Sequence, residues 1–271
     1  MAEIVVTGAS GFIGSHISDF LELRGFDVLR VSRSPGSKIY RVDSYLDTPE
    51  GKMLIHLAES PLILDAGQNA DYDIYTQTFS ELAARSESVI YFSSGAVYGD
   101  GNTESNSPDE DVAPRDAYSR SKLENERTAL LHDGVVLRLA NIFGPGMSDK
   151  NVLSDILRQI PGNGPLMIRN DNPVRDFLYI NELCELIPAV IKKFKSGIYN
   201  AGSATGISIG NLARLILELT DNSNREIVAT NAGQESSTTI LDISETTRQF
   251  GWAPSETLEK QLESFVDTQY E

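Results

Sequence analysis

The sequence predicts an α/β protein with a doubly wound parallel sheet and a smaller C-terminal lobe. Short apolar segments alternate with longer amphipathic ones through the first half of the chain, and this alternation is typical of the strands and helices of a parallel sheet. A cluster of glycines follows the first apolar segment directly. Beyond Asn141 the chain becomes rich in Gly, Pro and Asn, which indicates loops and short helices.

Six apolar segments predict the strands of this sheet. In chain order they are "EIVVTG", "FDVLRVSR", "MLIHLAE", residues 88–93, "DGVVLRLAN" and "GIYNAGS". The first segment lacks the alternation of a half-exposed strand, so we expect it to be buried on both faces.

Amphipathic segments between the strands predict the helices. In "FIGSHISDFLELRG" the apolar residues recur at helical spacing, and the shared face carries Ile13, Ile17, Phe20 and Leu21. Gly25 is expected to end this helix. The segment "DAYSRSKLENERTALLH" predicts a longer, polar-faced helix between the fourth and fifth strands.

Composition excludes several classes of protein. The formal net charge of -16 over 271 residues makes nucleic acid and anionic membranes poor partners. The single cysteine, Cys184, excludes an intrachain disulfide and predicts a buried thiol, and no metal site is expected. The sequence shows no signal peptide and no long apolar span, so we expect a soluble, cytoplasmic protein.

The glycine cluster predicts a dinucleotide site. Gly8, Gly11 and Gly14 follow a strand and precede a helix; the first allows a tight turn, the second a close approach to pyrophosphate, and the third close packing of helix on sheet. The amino terminus of that helix, with Phe12 and Ile13, adds a partial positive charge toward phosphates. The alternative is a glycine-rich turn without a ligand.

The predicted fold has two parts. We expect a dinucleotide-binding Rossmann-type domain over residues 1–141, to which the chain returns near 174–202. Residues 142–173 and 203–271 form the predicted substrate-binding lobe. The lobe is expected to cover the carboxyl ends of the strands, where open α/β sheets bind ligands.

The end of the second strand indicates which dinucleotide is bound. An acidic residue there suits NAD, whereas an arginine suits the extra phosphate of NADP. The segment "RVSRSPGS" has no acid and offers Ser32 and Arg33, so the sequence favours NADP(H) with Arg33 at the phosphate, and NAD is the alternative. Arg33 as an exposed loop residue is the other interpretation. Asp43 is a candidate contact for the adenine amino group.

A tyrosine and a lysine predict acid/base chemistry. Tyr118 and Lys122 are four positions apart on the predicted polar-faced helix, so they project from one face. A neighbouring ammonium lowers the pKa of a phenol, which can then exchange a proton with a substrate oxygen. Ser93 and Ser94 end the fourth strand and offer a hydroxyl for the same oxygen. The alternative is a surface Tyr–Lys pair and a turn serine.

Taken in this order, the motifs resemble the extended short-chain dehydrogenase/reductase family, in its sugar-nucleotide epimerase, dehydratase and reductase branch. The resemblance covers nearly the whole chain. It rests on "TGASGFIG", "IHLAE", "YFSSGAVYG", "YSRSK", "LRLANIFGPG", "VRDFLYINE", "GIYNAGS" and "FGWAPSETLEKQLESFV". It implies a nucleotide-sugar substrate and, through the Tyr118 helix, a possible homodimer.

The resemblance also implies roles for individual residues. Ser94 matches the catalytic Ser/Thr, and Tyr118 matches the acid/base. Lys122 matches the residue that lowers the tyrosine pKa and holds the nicotinamide ribose. Leu57 and Ala58 match the loop that lines the cofactor.

Three further positions match substrate contacts of the family. Asn141 matches an asparagine near the substrate diphosphate, and Asn151 is a candidate for the same contact. Arg175 matches the arginine that holds that diphosphate, a charge-assisted contact. The alternative for Arg175 is a structural pair with Asp176.

Departures from the family pattern narrow the expected activity. Gly95 and Ala96 stand where the 4,6-dehydratases resemble one another in carrying an acidic pair, which argues against dehydration. Glu59 stands where the family often has Ala, and its role is left open. We therefore expect C4 keto-reduction of a nucleotide sugar by NADPH, with Tyr118 as proton donor. The alternatives are an NAD-dependent 4-epimerase and, from another class, a non-catalytic NADP-binding regulator.

Overall fold

The structure is a computed structural model, and it describes residues 2–58, 72–99, 104–231 and 236–270. Among these residues, seven parallel strands form the sheet in the order β10-β6-β5-β4-β1-β2-β3. Their bounds are β1 Ala2–Thr7, β2 Val28–Ser32, β3 Ile39–Arg41, β4 Gly51–His56, β5 Ser88–Ser94, β6 Val135–Leu139 and β10 Gly197–Ala201. The predicted α/β fold with a Rossmann-type parallel sheet is confirmed.

Helices cover both faces of this sheet. The described helices are α1 Phe12–Leu23, α2 Tyr72–Ala84, α3 Ala117–Leu131, α4 Val152–Arg158, α5 Ile180–Lys192, α6 Ile209–Leu219, α7 Ser244–Phe250 and α8 Leu258–Tyr270. Helices α1 and α5 bury their apolar faces in one cluster with the sheet, and α2 and α3 contribute to a second cluster. None of the helices in the described ranges has both the length and the apolar character required to cross a bilayer.

Helix α1 follows its predicted amphipathic pattern. Ile17 and Leu21 are fully buried, while Ile13 and Phe20 are partly buried against the same cluster. Gly25 follows the helix with a φ of 83°, a left-handed conformation that glycine adopts without steric cost. This helix therefore packs as the sequence predicts and holds its amino terminus at the glycine cluster.

Strand β3 was missed by the sequence analysis. It is three residues long and pairs in parallel with β2, with Ser32 opposite Arg41. Tyr40 and Arg41 are exposed, because the strand lies at the edge of the sheet. A short, solvated edge strand has no continuous apolar segment, so its hydrophobic pattern is too weak to predict it.

Residues beyond the central sheet form a second region with its own apolar cluster. Strands β7 Asn141–Phe143, β9 Val174–Tyr179, β11 Gly206–Ser208 and β13 Thr238–Thr239 form a small sheet, and β8 Leu166–Ile168 pairs with β12 Ile227–Ala229. Helices α4, α6 and α8 pack on these strands around Leu153, Leu212 and Phe265.

The two regions interleave along the chain. Phe250 and Trp252, which fall in the predicted substrate-binding lobe, pack in the apolar cluster of the central sheet. Strand β10 joins the central sheet, whereas β9 belongs to the small one. The domain boundaries at 141–142 and 202–203 stay a prediction.

Cys184 lies within α5 and is buried. Burial raises the pKa of its thiol to about 12, with smaller contributions from nearby carboxylates. A thiol with such a pKa stays protonated at neutral pH, so Cys184 is an unreactive core residue.

Candidate active site

The three glycines form a tight turn between β1 and α1. Gly8 has a φ of 74°, and a Cβ built on it would lie 2.8 Å from the Leu57 carbonyl carbon. A Cβ on Gly14 would overlap the Gly8 carbonyl oxygen. A Cβ on Gly11 would meet only the Gly8 carbonyl oxygen, at 3.2 Å. Packing within the protein therefore requires glycine at positions 8 and 14, whereas position 11 faces open space.

That open space is a cavity of about 850 Å³ at the carboxyl ends of the central strands. This volume is within the range of ligand-binding pockets. Its lining includes the predicted site residues Gly8, Gly11, Phe12, Ile13, Gly14, Leu57, Ser94, Tyr118, Lys122, Asn141 and Asn151. One cavity thus joins the glycine turn to the Tyr–Lys pair.

The first turn of α3 places Tyr118 beside this cavity. Asp116 caps the helix by accepting a hydrogen bond from the Ser119 backbone at 2.7 Å, and Ser119 accepts one in return from the Asp116 backbone. A reciprocal cap of this kind fixes the start of a helix. Tyr118, half-buried, lies within that fixed turn.

Lys122 brings a positive charge next to the tyrosine. The side chain is buried, and its Nζ donates a hydrogen bond to the Phe92 carbonyl oxygen at 2.6 Å. The same Nζ lies 5.6 Å from the centroid of the Tyr118 ring and 5.2 Å from that of Tyr91. An ammonium held beside a phenol is the arrangement that an acid/base tyrosine requires.

The structure distinguishes the two serines at the end of β5. The Ser93 hydroxyl donates to the buried carboxylate of Glu126. Ser94 lines the cavity, and its Oγ accepts a hydrogen bond from the Ala96 backbone at 3.2 Å. Since Ser94 Oγ accepts this bond, its own hydrogen can be given to a substrate. The catalytic role predicted for Ser94 fits this position.

His56 is a buried imidazole behind the Tyr–Lys pair. Its Nδ1 is hydrogen-bonded to Thr7 Oγ1 at 2.8 Å, and its ring stacks on Phe79 at 4.6 Å between centroids. Burial, and secondly the charge of Lys122, lower the pKa of His56 to about 3. The imidazole is therefore neutral at physiological pH and adds no charge beside Lys122.

We expect His56 to make the protein sensitive to acid. Because its folded-state pKa is lower than its unfolded value of about 6.5, its stabilising contribution is complete above that pH and is lost as the pH falls toward 3. Between pH 6 and 4 the free energy of unfolding should fall by about 1 kcal/mol per pH unit more in the wild type than in His56→Asn. Denaturant unfolding across this range measures both slopes, and parallel curves would contradict the burial of a neutral imidazole.

Ser32, Arg33 and Asp43 lie at the carboxyl ends of β2 and β3, beside the glycine turn and outside the described lining of the cavity. Ser32 Oγ lies 2.6 Å from the hydroxyl of Ser10, a residue of that turn. Arg33 is exposed, with its guanidinium 5.3 Å from the centroid of Tyr45. Asp43 is also exposed. This position beside the glycine turn is compatible with the predicted cofactor contacts, which stay predictions.

Ala58 packs beneath the glycine turn. A Cβ on Gly8 would come within 2.9 Å of its backbone nitrogen, and Ala58 is buried. The segment that follows it begins with Glu59, which lies outside the described residues.

Arg175 lies in a smaller adjoining cavity of about 220 Å³, which shares Ser94 and Asn141 with the larger one. Its guanidinium donates to Ser237 Oγ at 2.7 Å and to the Ser237 carbonyl oxygen at 2.8 Å. Asn141 Nδ2 donates to the Asp176 carbonyl oxygen at 2.9 Å. Two of the three predicted diphosphate contacts thus line the same small cavity as Ser94.

The neighbouring carboxyl group has a structural role. Buried Asp176 accepts hydrogen bonds from the backbone and hydroxyl of Ser203 at 2.8 and 2.6 Å, and from the backbones of Ala204 and Leu241 at 3.2 Å. Burial raises its pKa to about 6 against the opposing effect of these donors. Asp176 thus ties β9 to two later loops.

Asn151 caps α4 at the edge of the larger cavity. Its Oδ1 accepts from the Ser154 backbone at 2.9 Å, and its Nδ2 donates to the Ser148 carbonyl oxygen at 2.5 Å. Both ends of the amide are therefore engaged by its own segment. The neighbouring Lys150 also lines the cavity, and the sequence analysis did not single it out.

The positions after Ser94 carry no carboxyl group. A Cβ on Gly95 would lie 3.2 Å from Leu241 Cδ2 and 3.3 Å from the Leu139 carbonyl oxygen, so a longer side chain would require its neighbours to shift. Ala96 lines both cavities. The two positions that directly follow Ser94 therefore carry small, non-ionisable residues.

Comparison with known proteins identifies the family. The model of the NAD dependent epimerase/dehydratase family matches residues 4–202. The chain belongs to this family. The resemblance to extended short-chain dehydrogenases/reductases that act on sugar nucleotides is thereby confirmed.

Several relatives in this family cover most of the chain. A UDP-glucuronic acid decarboxylase 1 from Arabidopsis thaliana is 25% identical over 97% of this chain and 68% of its own length. A dTDP-glucose 4,6-dehydratase from Streptomyces griseus is 27% identical over 93% of this chain and 89% of its own. The solved UDP-glucose 4-epimerase of Thermotoga maritima superimposes with a TM-score of 0.85 at 22% identity, covering 98% and 97% of the two chains, which shows the shared fold.

Proposed function

We propose that this member of the NAD dependent epimerase/dehydratase family is an NADP(H)-dependent reductase of a nucleotide-linked 4-keto sugar. The observation that supports it most is the single cavity lined by Gly11, Ser94, Tyr118 and Lys122. The residues fit a dinucleotide, because position 11 leaves the turn open toward the cavity and the amino terminus of α1 faces the same space. When bound, the cofactor supplies the hydride.

The side chains of this protein carry out the proton transfer and stabilise the charges that develop. The Tyr118 hydroxyl donates its proton to the C4 carbonyl oxygen as that carbon accepts the hydride, so the ketone becomes an alcohol. The Lys122 ammonium stabilises the phenolate that remains. Ser94 donates a hydrogen bond to the same oxygen and stabilises the charge that develops on it. Tyr118 then recovers its proton from solvent.

The end of β2 supports NADP(H) as the cofactor. No carboxylate occurs between Asp27 and Asp43, so this stretch supplies no acidic partner for ribose hydroxyls. Arg33 instead offers a guanidinium, whose planar array of donors suits a phosphate. Its exposure leaves it accessible to a bound ligand.

We expect Arg33→Ala to weaken NADPH selectively. A charge-assisted contact to phosphate is worth about 1.5–3 kcal/mol, so the Kd for NADPH should rise about 10- to 100-fold. The Kd for NADH, which lacks that phosphate, should change by less than about twofold. Fluorescence titration of the reduced nicotinamide measures both values. Arg248→Ala, an exposed arginine on α7 that pairs with Glu245, is the matched control. Equal losses for both cofactors would remove Arg33 from phosphate recognition.

An NAD-dependent 4-epimerase is the second candidate, because a solved UDP-glucose 4-epimerase shares the fold and the same three side chains serve that chemistry. The two reactions differ in what happens to the cofactor. A reductase consumes NADPH in proportion to product and exchanges it freely, whereas an epimerase returns its hydride in each turnover. Analysis of the nucleotide released on denaturation, together with NADPH consumption over UDP-, GDP-, CDP- and dTDP-linked 4-keto sugars, separates them. Copurifying NAD that does not exchange would exclude the reductase.

Assembly and location stay predictions from the sequence. The homodimer suggested by the resemblance would use α3, whose last residue, Leu131, is exposed. The expected cytoplasmic location is compatible with the high negative charge.

A further inference from the structure

Helix α3 is hydrogen-bonded to the strand that carries Ser94. Lys122 Nζ donates to the Phe92 carbonyl oxygen, and the Ser93 hydroxyl donates to Glu126 Oε1. Lys122 and Glu126 lie about one turn apart on α3, and Phe92 and Ser93 directly precede Ser94. We call these two hydrogen bonds the β5–α3 clamp.

The clamp is anchored by a buried ion pair. Arg138 Nε and Nη2 donate to the two carboxylate oxygens of Glu126 at 3.0 and 2.7 Å, and the side chains are only 3% and 2% exposed. A buried ion pair adds little net stability over an apolar pair, because both charges lose their hydration. Its directional bonds do hold one arrangement of the connected groups. Ser93 is thereby bonded to a carboxylate whose two oxygens are both held by Arg138.

The same arginine contacts the chain on the other side of Ser94. The guanidinium of Arg138 lies 4.8 Å from the centroid of the Tyr98 ring, and the Tyr98 hydroxyl donates to Asn200 Oδ1 at 2.7 Å. Tyr98 is the last residue of the 3₁₀ turn that follows Ser94. The ion pair therefore contacts residues both before and after Ser94.

We propose that Glu126 is a positioning residue for the reaction. Held by its ion pair, it fixes Ser93 against α3. The next residue of β5, Ser94, is thereby held at a fixed distance from Tyr118, which lies on the same helix as Glu126. The inference rests on the proposed function, in which both hydroxyls bind one carbonyl oxygen. A displacement of about 1 Å between reacting groups costs up to about 10²-fold in rate, so a rigid link between β5 and α3 has a direct catalytic use.

Ser93→Ala tests this role, because it removes the clamp bond to Glu126 and leaves both the ion pair and the Lys122–Phe92 bond in place. Tyr91→Phe is the matched control: it removes the 3.3 Å hydrogen bond from Asn125 Nδ2 to the Tyr91 hydroxyl, another polar link between the same strand and helix. NADPH oxidation is measured with the 4-keto sugar of the panel that wild type turns over fastest. Ser93→Ala should lower kcat about tenfold with an unchanged Kd for NADPH. Tyr91→Phe should keep kcat within about twofold at a similar loss of thermal stability, and Ser93→Thr should restore the rate.

Equal kcat values for Ser93→Ala and Tyr91→Phe would overturn the positioning role. Tyr118→Phe, assayed in parallel, tests the proposed function separately from the positioning role. Full activity of that variant refutes the proposed function itself. Crystal structures of the Ser93→Ala and Tyr91→Phe proteins with NADPH give a readout that needs no turnover. We expect the Ser94 Oγ to move relative to the Tyr118 hydroxyl only in Ser93→Ala, and an unchanged distance there would refute the role.

Discussion

Tyr118→Phe is expected to lower kcat by about 10²–10⁴-fold, the contribution of a positioned general acid. The variant keeps the ring that lies 5.6 Å from Lys122 Nζ and loses only the hydroxyl group, whose proton the mechanism transfers. Because the glycine turn and Lys122 are untouched, the Kd for NADPH should change by less than about twofold. Steady-state NADPH oxidation and fluorescence titration measure the two quantities.

A second tyrosine provides the control for this substitution. Tyr199 is buried in the sheet cluster, and its hydroxyl donates to the Lys195 carbonyl oxygen at 3.2 Å. Tyr199→Phe also removes a tyrosine hydroxyl, with its hydrogen bond outside the cavity, and should keep kcat within about twofold. If Tyr118→Phe retained full activity, the proton would have to come from another group and the assigned role would be wrong.

Alanine substitutions in the glycine turn should separate folding from cofactor binding. At Gly14 the new Cβ would overlap the Gly8 carbonyl oxygen and lie 2.9 Å from the Gly8 carbonyl carbon. Neither atom can move without opening the turn, so Gly14→Ala should lose about 1–3 kcal/mol of unfolding free energy together with NADPH binding. At Gly11 the Cβ meets only one atom, at 3.2 Å, so Gly11→Ala should stay folded while its Kd for NADPH rises by at least about 10-fold, because the methyl projects into the phosphate site.

Gly164 provides the matched control for these variants, since a Cβ built there meets nothing within 4 Å. Gly164→Ala should leave both the melting temperature and the Kd for NADPH unchanged. Thermal unfolding and titration of the three variants complete the comparison. A stable Gly14→Ala protein with wild-type affinity for NADPH would contradict the close packing of the turn on α1.

The parts of the fold that the sequence predicts are those governed by local pattern. The continuous apolar run of β1 and the spacing of Ile17 and Leu21 on α1 are properties of neighbouring residues, so periodicity alone predicts them. Strand β3 is held at the edge of the sheet by pairing with β2. That pairing is a tertiary effect, which a three-residue segment with exposed side chains does not reveal.

In the candidate site, too, the sequence predicts the residues that belong to local motifs. Gly8, Gly11, Gly14, Tyr118 and Lys122 follow recognisable spacings, and all line one cavity.

Local motifs do not predict the hydrogen-bond and ion-pair partners that lie far apart in the chain. The resemblance assigns the catalytic role to Ser94, but the hydrogen bond that engages Ser93, to Glu126 33 positions further along the chain, is seen only in the structure. Arg138 gave a local signal, as a charge in the apolar segment "VVLRLA". Its partner on α3, Glu126, is fixed only by the fold.

A crystal structure of the NADPH complex tests the central claim most directly. We expect the pyrophosphate against Gly11 at the amino terminus of α1, and the nicotinamide in the 850 Å³ cavity. Its reactive carbon should lie close enough to the Tyr118 hydroxyl for both to reach one carbonyl group, within about 5 Å. A dinucleotide bound elsewhere, or a Tyr118 hydroxyl turned away from the nicotinamide into solvent, would contradict the proposed chemistry.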